Sequence, residues 1–160
     1  MASVINEIES LAEFIEPLFA GASVHYQQIP VEPKVNSLIL RYLSSNNATE
    51  TNYHYRIDRE YQIVYFAQNE FACLQKFEQL ERKLNDVLVI PLKNSDRYLR
   101  LEFFSFSQPF KTESGTVTAI LGILRVSLRE PRTQNPYNKI GQVHAEIRSE
   151  IGVTVTKTNC

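Results

Sequence analysis

Two carboxylates set two residues apart, Asp58 and Glu60, are the most direct candidates for chemistry in this sequence. In an extended strand they point to the same side, where paired acids can hold a divalent metal for phosphodiester cleavage. Arg56 shares that side, and no lysine follows at the short spacing typical of metal-dependent nuclease strands. The favoured reading is therefore an ion-pair ladder on an exposed or subunit-facing sheet, with a small metal-dependent hydrolase as its rival. His25 and His54 fall in expected strands without a His-Glu-x-x-His pattern or a carboxylate at ligand spacing, and are read as sheet-surface or hydrogen-bonded histidines. His144-Ala145-Glu146 matches half of a zinc deaminase signature, but the Pro-Cys-x-x-Cys that completes such a site is missing. Gly21, Gly115, Gly122, Gly141 and Gly152 are too scattered for a dinucleotide-binding turn, and there is no Gly-Lys-Ser/Thr phosphate loop. No serine or cysteine stands in a nucleophile-elbow context. Tyr53, Tyr55, Tyr61, Tyr65, Phe103, Phe104 and Phe106 alternate as packing residues do; base stacking is disfavoured because the basic excess that accompanies it is absent. The expectation is a protein with no active site, metal or cofactor.

The composition is consistent with that. Seventeen basic against eighteen acidic residues leave a net charge of -1, which removes the electrostatic case for nucleic-acid binding. At 160 residues, 43% apolar and 22% charged, the chain is long enough for one domain with its own core. Two cysteines, Cys73 and Cys160, make neither a disulfide framework nor a zinc site. The sequon Asn47-Ala48-Thr49 reads as polar loop. No apolar run is long enough to span a membrane, and the N-terminus carries Glu7, Glu9, Glu13 and Glu16 where a signal peptide would be basic and then apolar. That pattern is read as mature cytosolic sequence. Charge divides unevenly: residues 1–50 hold six acidic and two basic groups, and residues 131–160 hold two acidic and four basic, so start and end could complement each other between subunits.

Elements follow from periodicity. Val4, Ile8, Leu11, Ile15 and Leu18 predict an amphipathic helix capped by Ser3, with an acidic outer face, ending between Pro17 and Gly21. Strands are expected at 23–29, 37–44, 53–66, 87–90, 97–107 and 116–128, with a polar linker over 46–52 and a hairpin connector around Pro109. Asn69 caps a second helix carrying Cys73, Phe77, Leu80 and Leu84. Residues 131–160 hold few large apolar groups, with a short helical possibility at Val143–Ile147 and a strand possibility at Val153–Thr156. The predicted fold is α+β: two helices packed on one face of a mostly antiparallel sheet of five to six strands, over residues 1–130, followed by a C-terminal extension, 131–160. The opposite face of the sheet is expected to be free.

This arrangement resembles the tail terminator proteins of tailed bacteriophages and phage-derived elements. The residues that carry the resemblance are the amphipathic helix Ile5 to Phe19, the proline-containing segment Gln28-Ile29-Pro30-Val31-Glu32-Pro33, and the long strand Tyr55 to Phe66. The helix Glu70 to Leu84 and the paired strands around Leu101-Glu102-Phe103 and Leu121-Gly122-Ile123-Leu124 complete it. The likeness covers about residues 4–129. It implies a virion protein of the tail or neck, assembled in the bacterial cytoplasm as a homo-oligomeric ring, commonly a hexamer. Such a ring caps the tail tube protein, stops its polymerisation and offers a docking surface to head completion or neck proteins and, in contractile tails, to the sheath. DNA would pass through the ring without sequence-specific contact. Arg56, Asp58, Glu60, Arg97, Arg100 and Glu102 are the expected contact residues with neighbouring subunits or the tube. A head-tail adaptor or head completion protein is the alternative.

Overall fold

The computed structural model describes residues 3–113 and 115–134. Its central strand, β3 (His54–Ala67), pairs along both edges, and its alternation gives it one apolar and one largely polar face. On one side lies β2 (Ser37–Thr49), antiparallel. On the other lies β7 (Thr118–Pro131), antiparallel from His54 opposite Pro131 to Ala67 opposite Thr118 without a break. β1 (Ser23–Tyr26) joins β2 in parallel. β5 (Tyr98–Phe106) pairs with β7 and with the short β4 (Val89–Pro91), while β6 (Phe110–Lys111) continues beside β7. The order across the sheet is β1-β2-β3-β7-β5-β4.

The architecture corrects the predicted one. Strands take 45% of the described residues against 24% helical, and one mixed sheet of six to seven strands curls into half a barrel, so this is not a pair of helices layered on an antiparallel sheet. Twisted strands of this length coil, and register shifts at Tyr42/Ser44 in β2 and Leu101/Phe103 in β5 add local twist. Two further expectations change with it. The first part of the polar linker, residues 46–49, is strand: it pairs with Asp58 to Tyr55 because β3 offers it a ladder to complete. The outer face is not wholly free either, since Ile39, Val64, Phe66, Val117 and Ala119 form a second buried cluster there. β7 ends at Pro131, and the Arg132 N–H still donates to the Tyr53 carbonyl. The rest of the proposed extension, with Val143–Ile147, His144-Ala145-Glu146, Val153–Thr156 and Cys160, lies outside the described residues.

α1 (Val4–Ile15) begins at Ser3, whose hydroxyl accepts from the Asn6 N–H at 3.2 Å. Pro17 has no N–H to continue the α pattern, so the chain tightens into a 3-10 turn, Glu16–Phe19, and leaves it through Gly21 at φ +76°. α2 (Glu70–Asn85) starts at Asn69, whose side chain accepts from the Ala72 N–H at 2.8 Å. Lys76 and Lys83 have the look of solvent residues in sequence, yet they tie the helices together. Lys83 Nζ donates to the Phe14 carbonyl at 2.9 Å and Lys76 Nζ to the Leu18 carbonyl at 2.7 Å, satisfying carbonyls that the end of α1 leaves without partners.

The core lies between these helices and the inner face of the curl. Leu11, Ile15 and Phe19 meet Cys73, Phe77 and Leu80 and, from the sheet, Leu38, Tyr61, Ile63, Ile120 and Leu124. Phe77 stands 6.1 Å from Phe104 and 5.7 Å from Phe106, centroid to centroid. Gly122 permits this: a Cβ there would sit 2.8 Å from ring atoms of both Phe77 and Phe104. Gly122→Ala is expected to destabilise the fold by about 1–3 kcal/mol through overpacking. Adding Phe104→Leu should recover part of that loss in denaturant unfolding, and equal stabilities for wild type and Gly122→Ala would show that the rings have room to shift.

Candidate functional site

Beyond the core, β2, β3 and β7 run on together, and their outer face carries charge. The uninterrupted β3–β7 register sets Arg56 opposite Arg129, Asp58 opposite Ser127 and Glu60 opposite Arg125. β5 adds Arg100, opposite Ser127. The side chains connect accordingly. Arg56 Nε lies 2.9 Å from Asp58 Oδ1, and the Arg125 guanidinium binds Glu60, which also accepts from the Ser44 hydroxyl at 3.0 Å. The Ser127 hydroxyl donates to Glu102 at 2.6 Å, with Arg100 Nε 3.5 Å from the same carboxylate. Arg129 holds Glu50 at the start of the β2–β3 turn, while on the opposite face Arg132 bonds the Thr49 hydroxyl at 2.8 Å and stacks on Tyr55. The result is a four-stranded ladder of alternating charge. Arg125 keeps the Glu60 carboxyl below the usual glutamate range, assisted by Ser44, and Arg129 does the same for Glu50.

Five of the six residues singled out in sequence, Arg56, Asp58, Glu60, Arg100 and Glu102, come together on this face. Arg97 does not. It turns toward the core side, where it binds the buried Glu130 and the carbonyl of Arg129. The two carboxylates weighed as metal ligands each already hold a guanidinium, so a cation would have to displace Arg56 and Arg125. Among the described residues no three His, Cys, Asp or Glu side chains gather as a metal-binding group. No helix among them is long and apolar enough to cross a membrane.

Sequence reasoning missed a second charged cluster, on the inner face. Glu7, taken for part of the acidic outer face of α1, is fully buried. The Tyr61 hydroxyl donates to its Oε2 at 2.6 Å, and Arg59 Nε lies 3.0 Å from the same oxygen, while Oε1 has no partner. Both positions were visible. Glu7 falls on the Val4-Ile8-Leu11 stripe, and Arg59 shares the parity of Ile57 and Tyr61. Burial raises the Glu7 carboxyl above the usual glutamate range, with Tyr61 and Arg59 working against the shift and nearby Glu130 adding to it. Burial and the Glu7 carboxylate likewise raise the Tyr61 hydroxyl.

An open groove of about 850 Å³ runs along the outer side of α1. Ile5, Ile8, Ala12 and Pro17 supply apolar surface, Glu9, Glu13 and Glu16 an acidic rim, and Lys93, Tyr26 and Gln27 the remaining walls.

No family model matches the chain, and no curated protein matches it. Among solved structures, it is similar to a chain that carries no functional name, at 13% identity and a TM-score of 0.44, over 85% of this chain and 100% of that one. It is also similar to a chain from the virion of a native gene transfer agent particle, at 15% identity and a TM-score of 0.38, over 81% of this chain and 87% of that one. At these scores neither likeness carries an argument about this protein.

The buried carboxyl makes a pH prediction. Because the folded pKa of Glu7 lies above its unfolded value of 4.5, the contribution of the protonated form is complete below pH 4.5 and declines as pH rises through the folded value. The stability of wild type minus that of Glu7→Gln should therefore shrink with rising pH in that window, measured by denaturant unfolding. A difference that grows would mean that Arg59 outweighs desolvation and holds Glu7 ionised.

Proposed function

We propose that this chain is a structural subunit of a phage-type tail, a terminator that assembles into a ring, caps the tail tube and offers its exposed face to neck proteins. The reading begins from the sequence pattern described above, and the observation that carries it further is the charge ladder on the extended end of the sheet. A solvated face of this length, held by paired charges on β2, β3, β7 and β5, has the chemistry of an assembly surface. Exposed ion pairs of this type add only about 0–1 kcal/mol each to a fold, so their use lies in steering and register between subunits. A head-to-tail interface closes into a ring where its rotation permits.

The test is light scattering on the purified protein, followed by tube polymerisation in its presence with lengths read by electron microscopy. Rings, or tubes capped and shortened in proportion to added protein, support termination; a monomer without effect on tube length overturns it. A head-tail adaptor would bind portal or head preparations and leave tubes alone. A hydrolase would show turnover that Asp58→Ala with Glu60→Ala abolishes. Arg100→Glu combined with Arg125→Glu changes two exposed residues. It should leave stability within about 1 kcal/mol of wild type while reducing association or capping at least tenfold. Unchanged capping would remove the ladder from the interface.

A further inference from the structure

An open sheet has two outer edges, and this one guards some stretches of them while leaving others bare. β1 is four residues long and ends where Gln27 turns at φ +65°, with Pro30 close behind. β4 is three residues long and ends in Pro91. Short strands and prolines of this kind keep an edge from pairing with another chain. β2, however, runs on past β1. β1 pairs with Ser37–Leu40, the Gln27 side chain accepts from the Tyr42 N–H at 3.4 Å, and from Leu43 to Thr49 no strand among the described residues lies on that side. That stretch, Leu-Ser-Ser-Asn-Asn-Ala-Thr, holds neither charge nor proline. At the opposite edge β4 pairs with Tyr98–Arg100, and Glu102 to Phe106 is bare in the same sense, with Glu102 its one charge and Leu88, Val89 and Phe103 exposed beside it.

Bonds at the ends of the two stretches set which backbone groups point outward. The Glu50 N–H donates to the His54 carbonyl, so residues 44, 46 and 48 turn toward β3 and the N–H and C=O groups of Ser45, Asn47 and Thr49 face away from the sheet. The Ser107 N–H donates to the Leu121 carbonyl, which turns those of Phe104 and Phe106 outward on β5. Strand polarity agrees. β2, β3, β7 and β5 are antiparallel in turn, so β2 and β5 run in opposite directions, and a second copy in the same orientation would bring its β2 antiparallel to β5. Charge agrees as well. Arg41, just before the bare stretch of β2, has a buried Nε with no acceptor among the described residues, and Glu102 holds Arg100 only at 3.5 Å.

We infer that the bare stretch of β5 pairs with the bare stretch of β2 from a second copy of this chain, so that one sheet continues from subunit to subunit with Arg41 of one copy near Glu102 of the next. Because the two edges differ, the contact is head-to-tail and repeats from copy to copy until it closes. Backbone hydrogen bonds supply the affinity of such a joint, and Leu88 and Phe103 give it apolar cover. The inference rests on the proposed assembly into a ring, and not on what that ring caps.

Asn47→Pro removes an outward N–H from β2, and Phe103→Lys sets a charge on an exposed position of β5, so neither changes a buried side chain. Ser45→Lys replaces the first variant if proline disturbs the strand, with folding checked by denaturant unfolding. Each variant alone should weaken self-association about tenfold or more in sedimentation. Mixed, the two should form a one-to-one pair and nothing larger, since each keeps the edge that the other lacks. In wild type, amide exchange over residues 43–49 and 102–106 should be fast in the monomer and slow on assembly. A wild type that is monomeric at every concentration, a closed two-copy particle, a mixture that stays monomeric, or slow exchange of these stretches within the monomer would each overturn the pairing. Rings indifferent to both variants would overturn it too and leave the proposed function standing, whereas edge-dependent assembly without effect on tube length would support the pairing and remove the terminator.

Discussion

The pairing of β3 with β7 along its whole length is the constraint on which the other features depend. Because strand side chains alternate, this single register decides that Tyr61, Ile63 and Tyr65 meet Leu124 and Ile120 within the core. It also decides that Asp58 and Glu60 meet Ser127 and Arg125 outside it. A slip of one residue would carry the charges inward and the aromatic rings out. Two long ladders flanking one strand make such a slip costly, since β2 would lose its partners as well.

The two faces handle charge in opposite ways. Outside, each carboxylate of the ladder has an arginine or a hydroxyl in reach and water beside it, so it gives up little solvation to make its contacts. Inside, Glu7 gives up its solvent to reach Tyr61 and Arg59, and one of its oxygens finds no donor. Desolvation of this kind is expensive and is offset only in part by the pair itself. Its structural effect is positional, since it fixes the first turn of α1 against β3, while Lys76 and Lys83 fix the last turn against α2. Helix α1 is thus tied at both ends, and its outer side is left to form the groove.

Much of this could be read from the residues, and the exceptions have physical causes. Both helix caps, Ser3 and Asn69, and the stripe Cys73-Phe77-Leu80-Leu84 follow from local rules that operate within a few residues. The direction of β1 is not local, because alternation is the same in parallel and antiparallel strands. The curl was also out of reach, since it arises from twist summed over the sheet and from bulges that leave no mark on composition. Residues 46–49 are strand yet read as linker, because a polar strand between polar neighbours has no apolar period to show. Glu7 and Arg59 are different: each sat on an apolar stripe, and treating charge as a sign of exposure hid them. For the ladder, the sequence indicated a shared face for Arg56, Asp58 and Glu60, but Arg125 became the partner of Glu60, and Arg129 of Glu50, only through long-range register.

The completeness of that ladder limits what a partner can gain from it. Every carboxylate on the face already has a counter-charge, so a neighbouring subunit that docks there exchanges one set of pairs for another with little net gain. Affinity has to come from apolar anchors beside the charges. β5 supplies them: Tyr98 and Phe103 are 57% and 54% exposed and flank Arg100 and Glu102, and Leu88, 81% exposed, lies near Phe103 at the same edge. The pairing of β5 with β4 ends at Arg100, with one further bond from the Leu101 N–H to the Leu88 carbonyl, so beyond it no strand among the described residues covers the outer edge of β5. Charge for register on one flank and aromatic surface for adhesion on the other is the division of labour expected of a surface that must first orient a partner and then hold it.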